Sequence, residues 1–286
     1  MSSKITIHKD RALFEIRGED RKKFLQGLIT NDVNKAGEKD LIYSAMLNAS
    51  GRFLYDFFIF ESSDKLMIDC LASRRDEILQ KLNFYKLRSK IEIIKNDELA
   101  VGQVFSDEDL SLDGILKFSD PRNKELGYRI YAPLPLEKIN TIIEYSDNSV
   151  ELNSEAFYHY KRITLKIPES EHDLTYEKSF IAEFNFDNLN AIDYQKGCYI
   201  GQEPTARIHH LGQIRKKIIH IIIPKQQKIE KNCEITCEGK LFGLCLSSVL
   251  YENKLHALAL VKIPENQNSD ILPNLEIEEN QIIIVN

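Results

Sequence analysis

No apolar run in this 286-residue chain approaches the ~20 residues that a membrane-spanning helix needs. The strongest, Ile218 to Ile223, is interrupted by His220 and reads better as a strand. The first ten residues hold neither the apolar core of a secretory signal nor the arginine-rich amphipathic pattern of a presequence. The expectation is therefore a bacterial cytoplasmic protein, or a mitochondrial matrix protein whose presequence has been removed. Positive charge is not in excess: 38 Lys and Arg against 44 Asp and Glu leave a net charge of -6. That argues against direct nucleic-acid binding by the whole protein, since neutralising phosphates needs a basic face. Cysteine is sparse, and its five copies are odd in number and scattered. A disulfide framework is not expected, and a reducing compartment fits better. Repeats and low-complexity tracts are absent as well.

What is present suffices for a soluble core. With 43% hydrophobic residues, 286 positions hold one large domain or two to three small ones. Arg11 to Ile16 reads as a strand, Gly18-Glu19-Asp20 as a break with an N-cap, and Phe24, Leu25 and Leu28 as the apolar face of a helix. Gln26 and Thr30 to Asp32 then fall near the helix end, where polar side chains can face a cavity. Tyr43 to Leu47 and Arg52 to Phe60 form a hairpin across Asn48 to Gly51, followed by a strand at 65–70, a helix at about 74–87 and strands at 91–95 and 99–105. Residues 107–140 are punctuated by Pro121, Gly127, Pro133 and Pro135 and read as connecting loops, with a helix at 154–162. From Gly212 the pattern turns all-β, with strands at 215–223, 233–237, 240–250 and 255–262. The fold class is α+β, with domains at 1–211 and 212–286.

The densest chemistry lies between Lys196 and Arg215: Lys196-Gly197-Cys198-Tyr199-Ile200-Gly201-Gln202-Glu203, then Thr205, Arg207, His209, His210, Gly212 and Arg215. Two glycines suggest a pinned loop, and Lys196, Arg207, His209 and Arg215 are candidate cations for raising the thiolate fraction of Cys198. The competing reading makes Cys198 a small buried hydrophobe beside a turn. His209 and His210, read as strand neighbours, cannot point the same way. Cys233, Cys237 and Cys245 lack paired C-x-x-C spacing, so core packing is expected there, and Cys70 is expected in the core too.

The block from Lys196 to Glu203 resembles the K-G-C-F/Y-I/V-G-Q-E signature of the YgfZ-type folate-binding proteins, relatives of the glycine-cleavage T-protein. Phe24 to Val33 is similar to the family's F-L-Q-G-x-x-T-N-D-V, and Tyr43 to Leu47 with Gly51-Arg52 and Asp56 to its Y-x-x-x-L-x-x-x-G-R-x-x-x-D. With Tyr85 to Lys90 these motifs are collinear over residues 11 to about 217. The T-A-R-x-H-H-x-G-x-I-R continuation resembles the branch associated with late assembly of four-iron clusters in mitochondria and related bacteria.

The resemblance implies an aminomethyltransferase-like fold: a discontinuous N-terminal part, a ferredoxin-like subdomain and a C-terminal β-barrel. It also implies a folate-binding accessory factor for iron-sulfur protein assembly or repair, in some bacteria supporting an iron-sulfur tRNA-modifying enzyme. The ligand implied is tetrahydrofolate or a derivative, and the partners are an A-type iron-sulfur carrier protein and client enzymes. Cys198 becomes the functional thiol and a candidate ligand of a shared two-iron cluster (2Fe-2S). Asp56 is a candidate proton-transfer group, and folate contacts carry over to Asp56, Asn31, Tyr43, Arg162, Lys196, Gln202 and Glu203. Asp56 otherwise ends a hairpin strand on the solvent side, and Arg162 otherwise makes a plain salt bridge. Lys166 replaces the glycine of the family's R-I-x-x-G-I-P-E, which bears on the loop's geometry. The alternative function is a tetrahydrofolate-dependent aminomethyltransferase.

Overall fold

The protein is described here as a computed structural model, covering residues 3–106, 114–134, 150–152, 155–212, 214–224, 229–263, 273–278 and 280–285. The chain falls into two compact units, one of residues 1–50, 54–155 and 188–202, the other of residues 51–53, 156–187 and 203–286.

The first unit holds β1 (Ser3–Ile7), β2 (Arg11–Arg17), α1 (Arg21–Gln26), β3 (Ile42–Leu47), β4 (Phe53–Ser62), β5 (Lys65–Leu71), α2 (Arg75–Lys86), β6 (Glu92–Asn96), β7 (Leu99–Phe105), β8 (Leu116–Ser119), β9 (Tyr128–Pro133) and β10 (Val150–Leu152). They form two five-stranded sheets, in the orders β3-β4-β5-β2-β6 and β10-β1-β7-β9-β8. Aromatic rings join the sheets: Phe60 of β4 lies 4.9 Å from Phe118 of β8 and 4.6 Å from Tyr131 of β9, centroid to centroid. The stretch at 107–140 therefore contains two strands that its prolines concealed, while 107–113 and 135–140 lie outside the described residues. Pro133 stands at the last position of β9, and Gly127 takes φ 74° in the turn between β8 and β9. A Cβ on Gly127 would meet the Val104 carbonyl oxygen at 2.2 Å, so glycine is required there.

The second unit holds most of α3 (Glu155–Thr164) and α4 (Gln202–Leu211), together with β11 (Lys216–Ile223), β12 (Glu234–Cys237), β13 (Lys240–Tyr251), β14 (Lys254–Lys262), β15 (Glu276–Ile277), β16 (Asn280–Gln281) and β17 (Ile283–Val285). The strands make one barrel-like sheet in the order β16-β15-β12-β13-β14-β11-β17. Its core includes Ile219, Ile221, Ile235, Leu255 and Ala257, with Cys245 fully buried and Cys233 and Cys237 packed against it. All five cysteines are free.

The units do not divide at residue 212. Residues 156–187 belong with the C-terminal strands: the Ser247 amide donates to Asp173 at 2.9 Å, and Lys231 Nζ to the Glu171 carbonyl at 3.2 Å. The change in residue pattern at Gly212 marks a change of local structure, whereas membership of a unit is set by such distant bonds. Among the described residues, no helix is long and apolar enough to cross a membrane.

One buried pair gives the second unit a pH dependence. His220 Nε2 and His256 Nδ1 lie 3.0 Å apart, the rings stacked at 22°. Burial, then His256 and Lys166, push His220 down to about 4. A histidine whose folded pKa lies below its unfolded value stabilises the fold fully above the unfolded value near 6.5, and that stability is lost as pH falls toward 4. Moving from pH 7 to pH 5 is expected to cost the second unit about 2 kcal/mol through His220 alone. Thermal melts at the two pH values check this, and an equal drop in a His220→Phe variant would assign the loss elsewhere.

Candidate functional site

The Cys198 loop is built by fastening, with the thiol left outside. Lys196 is buried, and its Nζ donates to three backbone carbonyls at the end of α1: Gln26 at 2.8 Å, Ile29 at 2.6 Å and Asn31 at 2.8 Å. Burial pushes the Lys196 ammonium down to about 8, against the carboxylates of Asp32 and Asp193, which favour its charged form. Two residues past the thiol, the Ile200 amide donates to the Gly27 carbonyl at 3.2 Å, and Tyr199 between them is buried. Gly201 takes φ 84°. Cys198 itself is exposed, which overturns the buried-hydrophobe reading.

The polar turn after α1 is used up in the same fastening. Gln26 Nε2 donates to Asp32 at 2.9 Å, and its Oε1 accepts the Val33 amide at 2.8 Å. Asn31 Nδ2 donates to the carbonyls of Tyr43 and Asn190, and its Oδ1 accepts the Asp32 amide. Asn31 and Lys196, expected at a folate, thus spend their hydrogen-bonding capacity on backbone, and Gln26 and Asp32 close on each other instead of facing a cavity.

Asp56 does not end a strand at the solvent. It stands inside β4, buried, and its Oδ2 accepts from the Tyr43 hydroxyl at 3.1 Å with the Arg11 guanidinium at 3.6 Å. It belongs to a buried charge network that the motifs did not announce. Asp69 accepts from Arg11 Nε and Arg129 Nε, both at 2.7 Å, and from the Tyr131 hydroxyl at 3.1 Å. Asp120 holds Arg122 at 2.8 Å, and three guanidinium carbons lie over the Phe58 ring, Arg129 at 3.8 Å, Arg122 at 4.8 Å and Arg11 at 5.4 Å. Three arginines thus meet three aspartates in this network. Burial raises the Asp69 carboxyl, but Arg11 and Arg129 outweigh it and hold it below the usual carboxylate range. Burial and Asp56 push the Tyr43 phenol well above its ordinary value. Among the described residues, Asp56 Oδ1 alone of the three aspartates' oxygens is buried without a hydrogen-bond partner.

Arg162 lies in the second unit, on α3. Its Nη1 donates to Asp173 at 2.8 Å, and its Nε lies 2.9 Å from His159 Nδ1 and 3.2 Å from Glu169. His159, Glu169 and His172 bring ligating atoms within 4.8 Å of one another. The Arg162 Nε, however, already sits on the His159 lone pair and the Glu169 oxygen, so a metal would have to displace a buried, paired guanidinium. Arg162 is committed to the salt bridge foreseen as its alternative role. Lys166 adopts φ 57°, the left-handed region that the family's glycine suits. Lys166→Gly is therefore expected to raise stability by about 0.5–1 kcal/mol, read as a higher Tm, and a lower Tm would contradict this.

His209 and His210 stand in the last turn of α4, a helix and not a strand, and His209 Nδ1 lies 3.7 Å from Asp187. Glu203 is exposed in the first turn of that helix beside Arg207, at 3.7 Å, while the Gln202 amide donates to the Tyr199 carbonyl at 3.2 Å.

This arrangement of sheets is that of the glycine-cleavage T-protein: the aminomethyltransferase T of Bartonella henselae superposes with a TM-score of 0.76 at 12% identity, covering 99% of this chain and 85% of that one. No family model matches the chain. In sequence it is 30% identical over 253 residues to the iron-sulfur cluster assembly factor IBA57 homolog, mitochondrial, of Pyricularia oryzae, covering 82% of this chain and 62% of that protein. The mouse iron-sulfur cluster assembly factor IBA57 is 30% identical over 235 residues, covering 74% of this chain and 64% of its own length. The chain thus has the fold of the T-protein, and the sequence relatives it resembles are named as IBA57 assembly factors. It spans less than two thirds of the length of these curated relatives.

Proposed function

We propose that this chain is a folate-binding accessory factor in the assembly of iron-sulfur proteins, with Cys198 as its functional thiol. The observation that carries the reading is the contrast among the cysteines. Burial pushes the Cys70 and Cys245 thiols up to about 12, whereas Cys198 is exposed on a loop clamped on both sides. The relatives' names add the cluster-assembly role. Such clusters usually take four protein ligands, so a cluster held through Cys198 as cargo is shared with a partner, for which an A-type carrier protein is proposed. Client enzymes, among them a tRNA-modifying iron-sulfur enzyme, stand downstream. The named relatives are mitochondrial, which lends nothing to a cytoplasmic location. The compartment proposed is the coarser one, a reducing space that builds clusters.

Asp56 Oδ1 supports a reduced folate, because an unpartnered buried carboxylate oxygen fits a ligand N–H donor, with the Tyr43 hydroxyl holding the other oxygen. A bound folate would supply that donor. The aminomethyltransferase alternative rests on shared fold alone.

Cys198→Ser is expected to abolish rescue of a deletion strain, scored by activity of a four-iron enzyme, with an unchanged melt because the side chain is exposed. Cys245→Ala should rescue but melt lower, by about 1–3 kcal/mol, since its side chain lies in the barrel core. Full rescue by Cys198→Ser would overturn the assignment.

A further inference from the structure

The end of α2 carries two large apolar side chains that the protein leaves uncovered. Phe84 is 78% exposed and Leu87 88%, three residues apart, while the buried face of the same helix is Ile78 and Leu82. Among the described residues, the other large exposed hydrophobics reach at most 58%, at Ile283. Leu87 stands just past the last helical residue at φ 44° and ψ -110°, a conformation that disfavours an L side chain. An exposed apolar pair and a strained backbone both oppose folding, and together they mark a surface kept for another purpose.

Charge says what covers it. Residues 81–90 contain Lys81, Lys86, Arg88 and Lys90 and no acid, on a chain of net charge -6. Lys90 pairs with Glu19, and the other three meet no carboxylate among the described residues. We propose that the Phe84–Leu87 knob docks into an apolar pocket rimmed by carboxylates on a partner protein. An aromatic anchor beside an arginine and a leucine, ringed by cations, suits such a pocket. A lipid surface suits it less: two side chains bury less than one acyl chain, itself a marginal anchor. Single-stranded RNA suits it less as well, since Leu87 has no ring on which a base can stack. The proposal goes beyond the cluster-assembly reading and does not need Cys198.

The test places p-benzoylphenylalanine at Phe84 in the full chain in its own cells, with the same group at Ile283 as control. A protein captured at position 84 alone is purified and titrated by calorimetry against wild type, Phe84→Ser/Leu87→Ser and Lys86→Glu/Arg88→Glu. The apolar variant is expected to weaken Kd by about 30-fold or more, and the charge reversal by about tenfold, with the second effect shrinking at high salt. Phe84, Leu87 and Arg88 are exposed and Lys86 is half-buried at the helix end, so the apolar variant should melt as wild type does and the charge reversal within a few degrees of it. Capture of nothing, of the chain itself, or of the same proteins at both positions would overturn the proposal. So would wild-type affinity in the apolar variant. Binding of phosphatidylglycerol vesicles or of a uridine oligonucleotide that is lost in the apolar variant would overturn it in favour of lipid or RNA. Rescue by Cys198→Ser with docking intact would remove the cluster reading and leave this surface standing.

Discussion

Asp69→Asn is expected to destabilise the first unit by about 3–5 kcal/mol, lowering its Tm by roughly 10 °C. The substitution hardly changes shape. It leaves Arg11 and Arg129, both bonded to Asp69, the first with a side chain only 8% exposed and the second buried, with one carboxylate fewer between them. Asp56 is the nearest remaining acid to Arg11, at 3.6 Å, and it is shared with Tyr43. Removing one partner of a buried ion pair costs far more than the pair contributes, because the other charge stays in a low-dielectric interior. The double variant Asp69→Asn/Arg129→Met separates this cause from simple loss of hydrogen bonds. If charge imbalance dominates, the second substitution restores part of the lost stability, and strictly additive losses would refute the account.

That network shows where reading the sequence stops. Strand and helix positions follow from neighbours in the chain: the apolar runs of β2 to β5, the helix at Arg75–Lys86 and the strands β11 to β14 lie within a residue or two of where their patterns place them, whereas the short β15 to β17 carry too few residues to show a pattern. The exposed thiol was legible too, because the segment from Lys196 to Gln202 spells its loop locally. Asp69 and Arg129 are 60 residues apart and meet only because the two sheets face each other through β5 and β9. The available signal was a single charge inside an apolar strand, Asp69 between Ile68 and Cys70 and Arg129 between Tyr128 and Ile130, which requires a partner without naming it. His209 and His210 were misplaced for a related reason. A ten-residue helix follows Gly201, and short polar segments carry too little periodicity to tell helix from strand.

The shared fold and the charge network bear differently on function. The folate proposed at Asp56 rests on a shared fold and a buried carboxylate oxygen, and both would serve an aminomethyltransferase as well. The proposed role of the thiol leans instead on the fastening beneath it. Lys196 Nζ fills all three of its donor positions with carbonyls of the turn that follows α1, so the turn and the Cys198 loop are one construction.

Lys196→Met tests that construction and carries the second large effect. Methionine keeps the length of the apolar stem but leaves three carbonyl oxygens without their donor, two of those bonds being buried, at about 1–3 kcal/mol for each buried group left unsatisfied. The expected total is about 3 kcal/mol, since the bond to the Gln26 carbonyl is only partly buried and water can replace it. Hydrogen exchange should then rise at Cys198 to Ile200 and at Asn31 to Val33 together, because both segments hang on the same ammonium. Rescue of the deletion strain should fall as well, even at a temperature where the variant remains folded, because the thiol would no longer be held in one place. Exchange that rises in one segment alone would show that the two are held independently, and normal rescue by the folded variant would remove Lys196 from any positioning role.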